Sequence, residues 1–514
     1  MCFLAALRKF PLHLFALSAP WTSAIKKQRS VTFAAMHERV LRKNEDIEIR
    51  ISDLAFGGVG IGKIATDKGE FAVFVQNTIP GQLVRARVEK SQKRFAECKL
   101  LEILEPSPDE VHIPYQRIPG APYATLPVEK QVEYKKRSTL ELFKRIGKVS
   151  NIESLFDEFI QSPAAWHYRN KMEYSFSVIR YDFDKKDESD DFGLGFKHRG
   201  TWWCVEDLDN DSGMFDAELE TKLKEVREWC IATGLPAWHP PQRVGFFRYF
   251  VVRKSYLTDQ LLINLVTSEI DVEKFDAGAF AEMLKSLFGK RLAGVIHTIN
   301  PNTGDRIDPL LGQTIQLYGD QKITEVINGL KFEISMTSFF QTNPKSAERL
   351  YNKVIEYAGV DEANDGRFIL DLFCGTGTIT QLLGQKSKRK VIGVDIVEDA
   401  ILDARQNAQR NGISNLEFHA ADVGKFLLEY PEYEGKISCL VLDPPRGGIA
   451  PKTLRKVLRL NSQRIVYVSC NPATQARDAI DMLEFGYELK KISMVDQFPH
   501  TAHIETVALF EMIV

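Results

Sequence analysis

The sequence predicts a multidomain protein: a small N-terminal β-barrel, a central α+β region and a C-terminal doubly wound α/β domain. Three observations carry that reading. Short strands separated by glycine turns crowd into residues 43–105, the pattern of a small barrel of the oligonucleotide-binding sort. Strand and helix patterns alternate from residue 367 onward, which is how a parallel sheet covered on both faces is written in sequence. Between them, aromatic-rich strands mix with amphipathic helices. A chain of 514 residues is long enough for three separate cores.

In chain order, residues 1–35 contain five Lys/Arg and no acidic residue, and their apolar runs are broken by Pro11 and His13. They are expected to be an extension outside the folded domains, disordered or added by a start upstream of Met36; a transit or signal peptide is the alternative. The barrel is placed at 36–105. Ile47, Ile49 and Ile51 alternate with polar residues, "FGGVGIGK" is a glycine turn lacking the GK[ST] ending of a P-loop, and "EFAVFVQN", "LVRARVEK" and "FAECKLLEIL" follow as strands. The run 85–99 carries six basic residues against two acidic ones, with Phe95 among them, a pattern that suits a nucleic-acid strand as well as a solvated face. Residues 106–150 read as a proline-marked connector running into a basic helix, 151–340 as the central α+β region, and 341–514 as the C-terminal domain, entered by Asn343 as a helix N-cap with Pro344 after it.

Composition narrows the function class. With 44% hydrophobic and 26% charged residues the chain is an ordinary globular one. A net charge of −2 gives no global attraction to nucleic acid, so any such binding must come from local patches. The seven cysteines are scattered without a CxxC, which argues for a reducing compartment and against a disulfide framework or a zinc site. No apolar run is long enough to span a bilayer.

The chemistry-bearing residues fall at the carboxyl ends of the C-terminal strands, where doubly wound sheets bind ligands. In "DLFCGTGTI" (371–379), Gly375 and Gly377 let a ligand approach the backbone. Asp395 ends the second strand and can accept ribose hydroxyls; Asp422 ends the third and can accept an adenine amino group. A helix cap or loop acid is the alternative for each. The turn lacks the full G-x-G-x-x-G, which favours S-adenosyl-L-methionine over a dinucleotide. The fourth strand ends in "LDPPRGG" (442–448), whose stiff turn holds Asp443 and Arg446 against the pocket, and the fifth ends in Cys470, in "VSCNPATQARD".

Together with "FFQTNP" and the terminal "DQFPHTAHIETVALF", these motifs resemble the RNA uracil-5-methyltransferase family, which makes 5-methyluridine in ribosomal and transfer RNA. The resemblance covers nearly everything after Met36 and implies that the barrel is of the TRAM type. It implies Cys470 as nucleophile and Glu505 as general base. It places Gln341, Phe373, Asp395 and Asp443 around S-adenosylmethionine, with Asp422 beside them; Thr378 stands where members often carry asparagine. Cys374 is read as structural.

The chemistry asks for the same residue types. Carbon 5 of uracil is too poor a nucleophile to take a methyl group from a sulfonium, but thiolate addition to carbon 6 makes it one. A base must then remove the carbon-5 proton. A thiol pKa lowered by a nearby cation or helix N-terminus is therefore expected at Cys470. Where some relatives hold an iron–sulfur cluster through a C-x5-C-G-G-C run, this chain has "HIPYQRIPGAP", so no cluster is expected. The expected partner is RNA, ribosomal through the TRAM barrel with transfer RNA as the alternative. The expected state is a cytoplasmic monomer without membrane contact, or an organellar one if 1–35 is a transit peptide. Two competing readings are a non-catalytic RNA-binding or folding factor on the same fold and methylation at a cytosine or amino group.

Overall fold

The computed structural model describes residues 40–67, 69–183, 185–304, 312–360 and 365–513. The extension expected at 1–35 lies outside the described residues.

Strands β1 (Asp46–Ala55), β2 (Val59–Thr66), β3 (Gly69–Val75), β4 (Leu83–Ser91) and β5 (Phe95–Glu105) close into a barrel in the order β1-β2-β3-β5-β4. Alternation puts Ile49, Ile51, Val73, Val75, Val84, Ala86, Val88 and Ala96 inside it. Three of the six basic residues of the run 85–99 are paired on the outside. Arg85 pairs with Glu48 and Glu102, Arg87 with Asp46 and Lys90 with Glu97. Phe95 packs edge-on against Phe74 at 5.7 Å. The barrel's glycine turn docks on the far end of the chain: a Cβ on Gly58, which has φ +80°, would lie 2.9 Å from that of Ala502.

The basic connector helix α1 (Val128–Arg145) is built into the C-terminal domain. Leu140 and Phe143 share a core with Ala476, Ala479 and Met482. After it, β6 (Phe156–Ile160), a segment assigned in sequence to the central region, pairs in parallel with a C-terminal strand instead. The central sheet has seven strands, β7 (Lys171–Asp182), β8 (Asp187–Lys197), β9 (Val205–Asp207), β10 (Phe247–Lys254), β11 (Leu261–Thr267), β12 (Leu292–Ile299) and β13 (Gln313–Gly319), in the order β13-β12-β11-β10-β7-β8-β9. Helices α2 (Leu223–Ala232) and α3 (Ala277–Phe288) share its core. A hairpin, β14 (Lys322–Ile327) and β15 (Leu330–Ser335), turns at Asn328-Gly329, both in the left-handed region that such two-residue turns require.

Asn343 then caps α4 (Pro344–Ala358), accepting from the Ser346 N–H at 3.2 Å, as expected. The C-terminal sheet comprises β16 (Phe368–Leu372), β17 (Val391–Asp395), β18 (Leu416–Ala420), β19 (Ile437–Leu442), β20 (Arg464–Ser469), β21 (Tyr487–Val495) and β22 (Glu505–Met512), with β6 as an eighth, edge strand. The order is β18-β17-β16-β19-β20-β22-β21-β6, and β22 alone runs against its neighbours. Helices α5 (Thr378–Lys386), α6 (Glu398–Arg410), α7 (Val423–Glu429), α8 (Pro451–Leu458) and α9 (Pro472–Glu484) cover the faces. The strand order reverses between β16 and β19, so the loops after those two strands open a crevice side by side.

Candidate active site

The loop after β16 turns sharply. Phe373 has φ +67°, and both its N–H and that of Cys374 bond the carbonyl of Val394. This pins the turn to the end of β17, and Asp395 completes the lock by accepting from the Gly375 N–H and the Val397 N–H, each at 2.9 Å. A Cβ built on Gly375 would meet nothing within 4 Å, so this backbone faces open space that a ligand can use. Ile396, which sequence reading did not single out, is 68% exposed and follows Asp395 directly in the chain, an apolar surface next to that carboxylate. Thr378 is buried at the first position of α5. Asp422 is exposed and caps α7 by accepting from the Lys425 N–H at 3.1 Å, the alternative weighed for it in the sequence.

Asp371, on β16 two residues before Phe373, is fully buried. Its Oδ2 accepts from the Thr380 hydroxyl at 2.5 Å while Oδ1 has no partner, and burial pushes its carboxyl up to about 8.

At the neighbouring strand ends, register assembles the chemical groups. Ser469, the last residue of β20, stands opposite Thr506 on β22, so Cys470, just past the end of β20, comes near Glu505 at the start of β22, whose charge acts on it. Asn471 holds the turn between them. It caps α9 through the Ala473 N–H and donates from Nδ2 to the carbonyl of Arg446 at 3.0 Å, so the "LDPPRGG" loop is tied over the thiol. The Thr506 hydroxyl donates to the Ser469 carbonyl at 3.1 Å. Asp478 anchors the same loop from below, accepting from the Ile449 N–H and the Tyr467 hydroxyl. Gln341 is buried, bonds Tyr351 on α4 and is approached by Gln497 at 3.4 Å; Tyr351 in turn feels the charges of Asp443, Glu505 and Asp371.

The electrostatics run against one expectation. The Cys470 thiol is half-buried and is pushed up to about 12, by burial first and then by Glu505 and Asp443; Arg446, hydrogen-bonded to the sulfur, opposes the rise. The helix start two residues later does not outweigh two carboxyl groups in a recess of low polarity. Burial likewise lifts Glu505 well above the ordinary carboxylate range, with Asp443 adding to the rise and Arg446 opposing it. Asp443 keeps a partly accessible face, which puts it on the wall of the recess, yet surrounding protein pushes it up to about 7. Burial therefore works against the charged form of all three groups. Arg446 is a positive charge at the Cys470 sulfur whose importance its sequence position only hinted at.

A loop bolted to α1 delivers Glu505. Lys135 and Asp496 form a buried ion pair at 2.7 Å, Lys135 also donates to the Phe498 carbonyl, and Gln131 bonds both the N–H and the ring of His500. Among the described residues, no three His, Cys, Asp or Glu side chains come together as metal ligands.

The family model for tRNA (Uracil-5-)-methyltransferase matches residues 315–513, and the TRAM domain model matches 41–101. An RNA methyltransferase of Clostridium acetobutylicum, named as uncharacterized, is 39% identical over 92% of this chain and 99% of its own length. The chain belongs to the RNA uracil-5-methyltransferase family. A second member, from Caldanaerobacter subterraneus and also named as an uncharacterized RNA methyltransferase, is 38% identical over 92% of this chain and 100% of its own. The tRNA (uracil-54, C5)-methyltransferase of Pyrococcus abyssi, solved with S-adenosyl-L-homocysteine, superposes with a TM-score of 0.65 at 26% identity. It covers 90% of this chain and 100% of that one. This family member is thus an S-adenosylmethionine-dependent RNA methyltransferase with a TRAM barrel in front of its methyltransferase domain. No helix among the described residues is long and apolar enough to cross a membrane.

Proposed function

We propose that this methyltransferase transfers a methyl group to carbon 5 of a uridine in RNA through a covalent Cys470–carbon 6 adduct. The observation that carries the proposal is the placement of Cys470, just past the end of β20, near Glu505 at the start of the adjacent β22, with the Arg446 side chain on the sulfur and Asp443 close enough to act on it. S-adenosylmethionine, when bound, supplies an electrophilic methyl group on a cationic sulfonium. Gly375, Asp395, Phe373, Gln341 and Thr378 line the cofactor's side of the crevice in this reading; Asp422 serves there only with the oxygen its capping bond leaves over.

Burial raises Cys470, Glu505 and Asp443 above their ordinary values, and a cation entering the recess shifts each toward its ionised form. Arg446 then holds the thiolate. The sulfur bonds carbon 6 of the ring, the electron pair of the ring double bond moves toward carbon 5, and carbon 5 takes the methyl group. Glu505 removes the remaining carbon-5 proton; that C–H pair restores the double bond as the carbon–sulfur bond breaks. Phe339, 71% exposed two residues before Gln341, offers a face on which an unpaired base can stack.

A uridine inside folded RNA must be presented in a loop or flipped out to reach this recess. The TRAM barrel favours ribosomal RNA; the Pyrococcus abyssi enzyme acts on tRNA, which makes transfer RNA the second reading. The six described cysteines are all free, which supports a reducing compartment such as the cytoplasm, and a monomer is proposed.

RNA containing 5-fluorouridine tests the chemistry. Fluorine cannot leave carbon 5 as a proton does, so the adduct should persist as a protein–RNA band on a denaturing gel. No trapped species with an active enzyme would overturn the covalent route, and a methylated nucleoside other than 5-methyluridine on mass analysis would overturn the target atom. Mapping 5-methyluridine in ribosomal and transfer RNA from cells with and without the protein decides the substrate.

A further inference from the structure

A second group of charges, away from the sulfur, has no partner of opposite sign. Arg253 on β10 is 3% exposed, donates one N–H to the Ser338 carbonyl, and leaves Nε and Nη1 with no hydrogen-bond partner. Directly across the antiparallel ladder stands Lys171 of β7, half-buried, so two cations share one face of the sheet where opposite charges would be the stable choice. Arg169, two residues before Lys171, adds a third cation that Lys171 feels. None of the three has a carboxylate at ion-pair distance among the described residues. Glu173, exposed on the same strand, is the one acid acting on Lys171.

Burying a guanidinium without a counter-charge is among the costliest arrangements a fold can hold, so its retention needs a reason. Burial pushes Arg253 down only to about 10, which leaves it cationic at neutral pH. Position supplies the reason. The Ser338 carbonyl that caps Arg253 lies three residues before Gln341, and Asn170, between Arg169 and Lys171, donates to the carbonyls of Gln341 and Thr342. On the other side Arg169 acts on His503, as does Arg446, and His503 is two residues before Glu505. The cations therefore form a track along the seam between the central sheet and the C-terminal domain, ending at the reactive groups.

We propose that Lys171 and Arg169, backed from beneath by Arg253, form an anion site that takes a backbone phosphate of the RNA substrate beside the nucleotide to be methylated. The proposal rests on the RNA-substrate reading and adds to it the place where the strand is gripped. Two half-buried cationic side chains beside a fully buried one suit a phosphate, which presents several acceptor oxygens at once. Such a contact fixes register without reading sequence.

The test uses the full-length protein, bulk RNA from cells lacking it, and tritiated S-adenosylmethionine. Lys171→Gln and Arg169→Gln should each raise the KM for RNA by about tenfold at moderate salt. Each should also flatten the slope of log(kcat/KM) against log[KCl] by about 0.7–0.9, the signature of one lost phosphate contact. The Kd for S-adenosylmethionine should stay unchanged, and Lys171→Arg should restore both KM and slope. An active enzyme whose salt slope is the same in both Gln variants overturns the site, as does an equal loss of S-adenosylmethionine affinity, which would mark the residues as structural. Failure of the unaltered protein to label any RNA overturns the RNA reading itself, an outcome distinct from an unchanged slope.

Discussion

The barrel and the reactive edge of the C-terminal sheet treat charge in opposite ways. On the barrel, Arg85, Arg87 and Lys90 face solvent, each beside an acid, and the Arg87 guanidinium holds the Asp46 carboxyl below its ordinary value. Water screens these pairs, so each can be lost at little cost. At the carboxyl ends of the sheet strands, Asp371 and Glu505 are enclosed and Asp443 nearly so, and only one guanidinium, that of Arg446, opposes the rise in Glu505. Enclosure removes water's ability to stabilise the ionised forms, so protonation there depends on what enters the recess. A run of basic residues in sequence is thus weak evidence for a binding site, and a few charges denied partners by the fold are strong evidence.

The sharpest way to break this contrast is at the sulfur. Cys470→Ala should lower methyl transfer by about 10³-fold or more while RNA binding persists, because the covalent route is lost and the binding surface is not. Methylation at the native rate would end the assignment. Glu505→Gln should slow turnover by about 10²–10⁴-fold with accumulation of the protein–RNA adduct, since in the proposed route adduct formation precedes the proton removal assigned to Glu505. Gel analysis of the adduct separates this from a variant that merely binds poorly.

Next in size is the buried pair that holds the Glu505 loop. Lys135→Met leaves Asp496 enclosed without its cation and should cost about 3–5 kcal/mol in denaturant unfolding.

Asp371→Asn sharpens the comparison through pH. The folded protein raises the Asp371 carboxyl to about 8 from an ordinary value near 4, so the protonated form is the one the fold favours. Its contribution is complete below the unfolded value and is lost as pH rises through about 8. The native protein should therefore lose stability relative to Asp371→Asn between pH 5 and pH 8.5, by on the order of 1–3 kcal/mol. Thermal midpoints of the two proteins across that range would show it, and parallel curves would refute it.

The smallest effect belongs to the barrel. Arg87→Ala, which breaks the exposed pair with Asp46, should leave the thermal midpoint within the scatter of replicate scans, with any difference vanishing in added salt.

Much of this arrangement was legible in advance where local pattern and local chemistry agree. The alternation of Ile47, Ile49 and Ile51 marked a barrel strand, Asn343-Pro344 marked the start of α4, and the βα alternation after residue 367 marked the methyltransferase sheet. Other features escaped because their cause lies far away in the chain. The five residues Phe156–Ile160 have no strand signature of their own and become a strand by pairing with β21, more than 300 residues later. The ion pairs of the run 85–99 escaped too, because Asp46, Glu48 and Glu102, the acids beside Arg85 and Arg87, lie elsewhere on β1 and β5.

By itself the amino-acid sequence determined which residue types were available at each strand end, because side-chain periodicity, turn residues and capping residues act over a few positions. It thereby set the order of domains and the presence of a thiol, a carboxyl and a guanidinium in successive loops. Tertiary structure alone decided their protonation and their partners. Solvent exclusion and distance are properties of how strands from positions 371 to 505 stack, and they turn Cys470 from a thiol expected to ionise easily into one held up at about 12. They also leave Arg253 facing Lys171 across a sheet with no acid between them.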